Sequence, residues 1–177
     1  GSDQIVDFAS HRDCPLMRLL LADDHPMIRA AIEVLLRGTG FELVGMAGTG
    51  EATMAEVERL RPDMLLLDLQ MPDGNGLDVL RRLKAAKSPM RVIMLTAGID
   101  DSALLEAKAL KVHGILLKNS DPAFLLECLE SVRDGRSWFD PELARRARQL
   151  ASGSTRRIAL APRERQLIGF VRKGLRN

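Results

Sequence analysis

Met64-Leu-Leu-Leu-Asp68-Leu-Gln-Met-Pro72-Asp-Gly74-Asn-Gly76 is the stretch that decides the fold. Its first four residues are apolar without alternation, and the run is too short for a helix. A strand of that kind is covered on both faces, as in parallel sheets flanked by helices. Asp68 ends the run. A single carboxylate therefore falls at the carboxyl end of a buried strand.

Outward from there the same grammar repeats. Residues 17–22, 41–47, 90–95 and 112–117 read as further strands. Helix-length segments lie between them. Pro26 suits a first helical position, with Ile28, Ile32, Leu35 and Leu36 at helical spacing and Gly38 as a stop. Residues 76–86 carry Leu77, Leu80 and Leu83, and Asp121-Pro122 opens a helix with Leu125, Leu129 and Val132 inward. Five strands alternating with five helices predict an α/β fold, a doubly wound five-stranded parallel sheet. After Gly135 the pattern changes. Asp140-Pro141 starts another helix with a thin stripe of Leu143, Ala147 and Leu150, and Ala151-Ser-Gly-Ser-Thr155 reads as a flexible linker. A last helix is expected from Pro162, burying Leu167, Ile168 and Val171.

Of the 177 residues, 46% are hydrophobic and only six are aromatic, which is globular with an aliphatic core. No apolar run approaches the ~18 residues of a membrane span. The stretch before Pro15 carries Asp3, Asp7 and Asp13 and lacks the apolar centre of a signal peptide. Cys14 and Cys128 lie too far apart in sequence for a metal motif and form no disulfide framework. A cytoplasmic protein is the expectation. Gly1-Ser2, without an initiating Met, resembles a scar of tag removal. The chain holds 26 basic and 24 acidic residues; after residue 133 the figures are 11 and 4, leaving 15 and 20 before it. An acidic first part and a basic tail suggest two jobs, the second at a polyanion or simply a solvated Arg-rich helix.

Ligands of open parallel sheets bind beyond the carboxyl ends of the strands. Asp23 and Asp24 follow the first strand, Asp68 the third, Thr96 the fourth and Lys118 the fifth. One such residue is ordinarily a turn residue; four matching strand ends make a site. Crowded carboxylates repel and call for a cation. Mg²⁺ takes oxygen ligands and commonly sits between carboxylates and a phosphate. A carboxylate can itself attack phosphorus, and phosphoryl transfer rests chiefly on charge neutralisation and positioning.

Asp23-Asp24, Asp68-Leu-Gln-Met-Pro72 with Gly74 and Gly76, Thr96-Ala97 and Lys118 together resemble the receiver domains of two-component response regulators. The resemblance spans roughly residues 17–133. It implies a flavodoxin-like sheet of strand order 2-1-3-4-5. It implies Asp68 as phosphoacceptor, with Asp23, Asp24, Asp68 and the Gln70 main-chain carbonyl around Mg²⁺, Asp23 largely through water. It also implies that Thr96 and Lys118 hold the phosphoryl group, that Ala97 is suitably small beside it, and that the donor is a phosphohistidine on a sensor histidine kinase. Two positions depart from the common pattern. Ile115 stands where receivers often carry an aromatic switch residue, and Asn119 follows the lysine in place of Pro.

Other motifs are set aside. Glu51 occupies the place a P-loop needs for lysine, and Gly38-Thr-Gly40 lacks the third dinucleotide-binding glycine. His25 is read as packed or solvent-exposed and not as a ligand; His11 and His113 have no partner at ligand spacing.

Residues 160–177, Leu-Ala-Pro-Arg-Glu-Arg-Gln-Leu-Ile-Gly-Phe-Val-Arg-Lys-Gly-Leu-Arg-Asn, resemble the opening of a LuxR-type helix-turn-helix domain. With the receiver this implies a NarL/FixJ-type regulator. Ala161 replaces the usual capping Thr, a loss of about 1 kcal/mol of helix stability. The recognition helix that would read base edges lies after Asn177, so a piece of a longer protein is expected. The expected division is an N-terminal extension over 1–16, a receiver over 17–135, a helical and flexible linker over 136–159, and the start of a DNA-binding domain over 160–177. The expected function is phosphorylation-controlled dimerisation and DNA binding, with no enzymatic output beyond the receiver's own phosphorylation and dephosphorylation. The alternatives are a stand-alone protein-interaction module and, against the acidic pocket, an FMN enzyme of the same fold.

Overall fold

A computed structural model describes residues 15–159, with side chains described through residue 153. The readings on residues 1–14 and 160–177, including Cys14, His11 and the helix from Pro162, lie outside the described residues. The elements run β1 (Met17–Ala22), α1 (Pro26–Leu35), β2 (Phe41–Ala47), α2 (Gly50–Leu60), β3 (Met64–Asp68), β4 (Gln70–Met71), β5 (Gly74–Asn75) and α3 (Gly76–Ala85). They continue β6 (Arg91–Thr96), α4 (Asp101–Ala109), β7 (Gly114–Leu117), α5 (Ala123–Arg133), β8 (Trp138–Phe139) and α6 (Pro141–Ala159). The main sheet has the order β2-β1-β3-β6-β7-β8, and every pairing in it is parallel.

The first five strands of that order are the doubly wound arrangement the pattern implies. Leu19, Leu20 and Leu21 of β1 and Met64 to Leu67 of β3 have no exposed surface. Each such side chain contributes roughly 2 to 3 kcal/mol by burial. The central strands hold the core, and their last residues emerge together at one edge: Asp68 pairs with Leu95, and Thr96 with Leu117.

The structure corrects two sequence readings and adds one element. The sheet has a sixth strand, β8, whose Trp138 and Phe139 pair with Gly114 and Ile115. Two residues are too few for any periodicity, so only the pairing reveals them. The segment after Asp68 forms a small hairpin, β4 against β5. The supposed flexible linker at 151–155 lies within α6, which runs unbroken from Pro141 to Ala159. Once nucleated, a helix adds one hydrogen bond per residue, and the single Gly153 costs only about 1 kcal/mol. Strands four and five also start one and two residues later than expected, at Arg91 and Gly114.

The described residues divide into two compact units that meet in sequence between Asp140 and Pro141. Among them, no helix is long and apolar enough to cross a membrane.

His113, which has no partner at metal-ligand spacing in the sequence, closes the amino end of the sheet: its Nδ1 accepts the Val92 N–H at 3.0 Å. Burial, reinforced by the charges of Lys84 and Arg91, holds the imidazole below its ordinary range despite that bond. The folded chain therefore binds this proton less readily than the unfolded chain. Its contribution is fully present above the unfolded value of about 6.5 and is lost as pH falls through the lower folded value. Urea unfolding between pH 7 and 5 should show stability falling by at most about 1.4 kcal/mol per pH unit from this group. His113→Gln should flatten that slope; an unchanged slope would remove His113 as its source.

Candidate functional site

The site is assembled from four strand ends. Asp23 leaves β1 with its main-chain N–H on the Ala47 carbonyl of β2, and its carboxylate is fully buried. Asp68 closes β3 and is 2% exposed. Lys118 follows β7, its main-chain N–H donating to the Thr96 carbonyl at 2.7 Å. Its ammonium lies 2.6 Å from Asp23 Oδ2 and 3.1 Å from Asp68 Oδ2, joining the two buried carboxylates.

The loop after Asp68 is built to hold that residue. The Gln70 N–H donates to Asp68 Oδ1 at 3.1 Å. Gly76 N–H closes the hairpin on the Leu69 carbonyl at 2.7 Å. A Cβ on Gly76 would stand 2.3 Å from the Asp68 carbonyl oxygen, so this approach requires glycine. Asp73, at the hairpin tip, accepts from the Gly50 and Glu51 N–H groups at the start of α2. Those N–H groups hold the Asp73 carboxyl below its usual range.

The electrostatics follow from burial and one shared cation. Burial raises Asp68, assisted by the charge on Asp23; the Gln70 N–H and Lys118 do not fully offset it, and its pKa lies above the usual carboxylate range. Burial also raises Asp23, but Lys118 and the His25 main-chain and side-chain groups outweigh it, so Asp23 lies below. Lys118, opposed by burial and favoured by both carboxylates, is held above the usual ammonium value. Two adjacent carboxylates are thus pushed in opposite directions.

Asp24 joins through a residue the sequence reading set aside. His25 is exposed, yet its Nδ1 lies 2.5 Å from Asp23 Oδ1 and 3.3 Å from Asp24 Oδ1. Asp23, Asp24, His25 and Asp68 each offer a donor atom within 4.8 Å of the others. The signal was the position of His25 beside the acid pair, but a lone histidine at a helix start does not by itself declare a contact. Two more residues stand apart from the expected cluster. The Thr96 hydroxyl turns to its own loop, donating to the Gly98 carbonyl at 2.6 Å and accepting from the Gly98 N–H. Gln70 meets the site by its N–H; the role implied for its carbonyl rests on the resemblance.

The donor set suits a hard divalent cation. Asp23, Asp24 and Asp68 are three carboxylates with one lysine on two of them, and hard cations prefer oxygen ligands.

The sequence profile of the response regulator receiver domain matches residues 19–130. The nitrate/nitrite response regulator NarL of Escherichia coli is 32% identical over 165 residues, covering 90% of this chain and 76% of NarL. The DNA-binding transcriptional activator DevR/DosR of Mycobacterium tuberculosis is 30% identical over 167 residues, covering 92% and 77%. Among solved structures, RcsB of Salmonella enterica serovar Typhimurium, bound to a promoter with a beryllofluoride phosphomimetic, has a TM-score of 0.72 at 25% identity. That match covers 89% of this chain and 78% of the RcsB chain.

Proposed function

Since this chain belongs to the response regulator receiver family, we propose that Asp68 is the residue on which its signal is written, accepting a phosphoryl group from a sensor histidine kinase. The observation that carries the reading is the ammonium of Lys118 shared between two buried carboxylates at the strand ends. A phosphoryl group arriving there meets a positive charge already in place.

In the proposed transfer, a carboxylate oxygen of Asp68 forms the new bond to phosphorus as the bond to the donor imidazole nitrogen breaks. The electron pair returns to that imidazole, and Asp68 becomes an acyl phosphate. Lys118 then turns from a partner of Asp23 and Asp68 into a partner of the phosphoryl oxygens. Thr96 exchanges its Gly98 carbonyl for a phosphoryl oxygen, a small rotation of one hydroxyl. Mg²⁺, held by Asp23, Asp24 and Asp68 with the Gln70 carbonyl, would neutralise charge on the phosphoryl oxygens.

The output proposed is DNA binding by a dimer, by analogy with DevR/DosR, named as a DNA-binding transcriptional activator, and with RcsB, solved as dimers on DNA. The basic excess after residue 133 supports a polyanionic partner.

Acetyl phosphate with Mg²⁺ should add one phosphoryl group to the intact chain, seen by mass, and none to Asp68→Asn. Equal labelling of the variant would remove Asp68 as the acceptor.

A further inference from the structure

Lys118 carries the charge balance of the site, yet it stands on a turn. Ser120 N–H closes that turn on the Leu117 carbonyl at 3.2 Å, leaving Lys118 and Asn119 at its two central positions. Turns of this kind place a side chain loosely unless something outside them fixes the backbone. Here two things do: the Lys118 N–H is held on the Thr96 carbonyl of β6 at 2.7 Å, and the far side of the turn is tied through Ser120. Ser120 Oγ donates to Asp140 Oδ2, twenty residues along the chain. The main-chain N–H of the same Asp140 donates to the Ile115 carbonyl of β7 at 2.8 Å. Asp140 is 3% exposed. It grips β7 three residues before Lys118 and the turn two residues after it. The short strand β8 brings it there, through Trp138 N–H on the His113 carbonyl and the pairing of Phe139 with Ile115.

We infer that Ser120 and Asp140 are positioning residues for Lys118, a clamp that holds its ammonium on Asp23 and Asp68 and ready for a phosphoryl group. The inference deepens the phosphoacceptor reading and rests on it. The clamp acts through the backbone of 115–120, held at Ile115 and at Ser120.

Linkage makes the clamp work in both directions. If closing it favours the phosphoryl group, then the phosphoryl group favours closing it by the same factor. Asp140 is the residue before Pro141, the first of α6. The state of Asp68 is thereby felt at the peptide from which α6 starts. That route does not require an aromatic residue at Ile115, which is fully buried and aliphatic.

The test has two arms on the full chain. In the first, without divalent metal, the acylation rate of Lys118 by an amine-reactive probe is followed by peptide mass. Lys118 should label about tenfold faster in Ser120→Ala and in Asp140→Ala, and at the native rate in Ser120→Thr, which keeps the hydroxyl. In the second, with Mg²⁺, beryllofluoride affinity should fall about tenfold in Ser120→Ala, and Ser120→Ala should add nothing in a Lys118→Met background. A native labelling rate in both variants overturns the clamp, as does an equal affinity loss with and without Lys118. If wild-type chain takes no beryllofluoride while Lys118 labelling rises as expected, the phosphoacceptor reading fails and the clamp stands.

Discussion

Lys118→Met should lower the free energy of unfolding by about 3 to 5 kcal/mol at neutral pH without divalent metal. The Lys118 side chain is 13% exposed and those of Asp23 and Asp68 0% and 3%, so the three charges share one desolvated place. Removing the cation leaves two carboxylates facing each other in it. Methionine replaces the stem, so the loss reads charge and not volume. Two signatures separate this from ordinary damage. Mg²⁺ at a hundred times its dissociation constant should return about 2.7 kcal/mol. Acid should also help. Asp68 already lies above the usual carboxylate range through burial, and loss of Lys118 raises it further. The folded variant then binds a proton that the unfolded chain does not, so stability rises as pH falls through the folded value. Urea melts at pH 7 and 5, with and without Mg²⁺, would measure all three. A variant as stable as wild type without metal would show that the pair of carboxylates is not held by Lys118.

Gly76→Ala should cost about 3 kcal/mol or more and abolish phosphoryl acceptance in whatever fraction remains folded. The added Cβ would meet the Asp68 carbonyl oxygen at 2.3 Å and the Leu69 Cα at 3.0 Å. Both are backbone, so no rotamer can relieve the clash. Relief must come from moving the peptide after Asp68 or the first turn of α3, and either displaces Asp68. Gly153→Ala is the control. It lies within α6 and its Cβ would meet nothing within 4 Å. It should gain roughly 0.5 to 1 kcal/mol. Thermal melts of both variants, with phosphoryl labelling of Gly76→Ala, would decide. A Gly76→Ala chain of native stability would mean that the hairpin approaches Asp68 less closely than described.

The site residues were legible because their signal is local. A polar residue breaking an apolar run marks a strand end, and in a parallel sheet all strand ends of one sense lie together. Asp23, Asp68 and Lys118 could therefore be placed near one another before any coordinates. Thr96 shows the limit of that logic. Its position at the end of β6 is as expected, but its hydroxyl bonds Gly98, because a side chain's direction depends on the loop beside it. His25 shows the same limit from the other side: its neighbours in sequence were visible, and its contact with both of them was not.

By itself the sequence determined the fold class, the order of the long elements, and the gathering of Asp23, Asp68 and Lys118 at the strand ends. Those follow from periodicity and from residues next to one another in the chain. Only the tertiary structure decided that Trp138 and Phe139 are a strand, that 151–155 is helix, that Gly76 is pressed against Asp68, and that Ser120 is tied to Asp140. Three of these depend on a partner residue well separated along the chain, and the helix at 151–155 depends on the turns that precede it. The free energy of a two-residue strand or a part-buried hydroxyl contact resides in the pairing, so no pattern within either segment announces it.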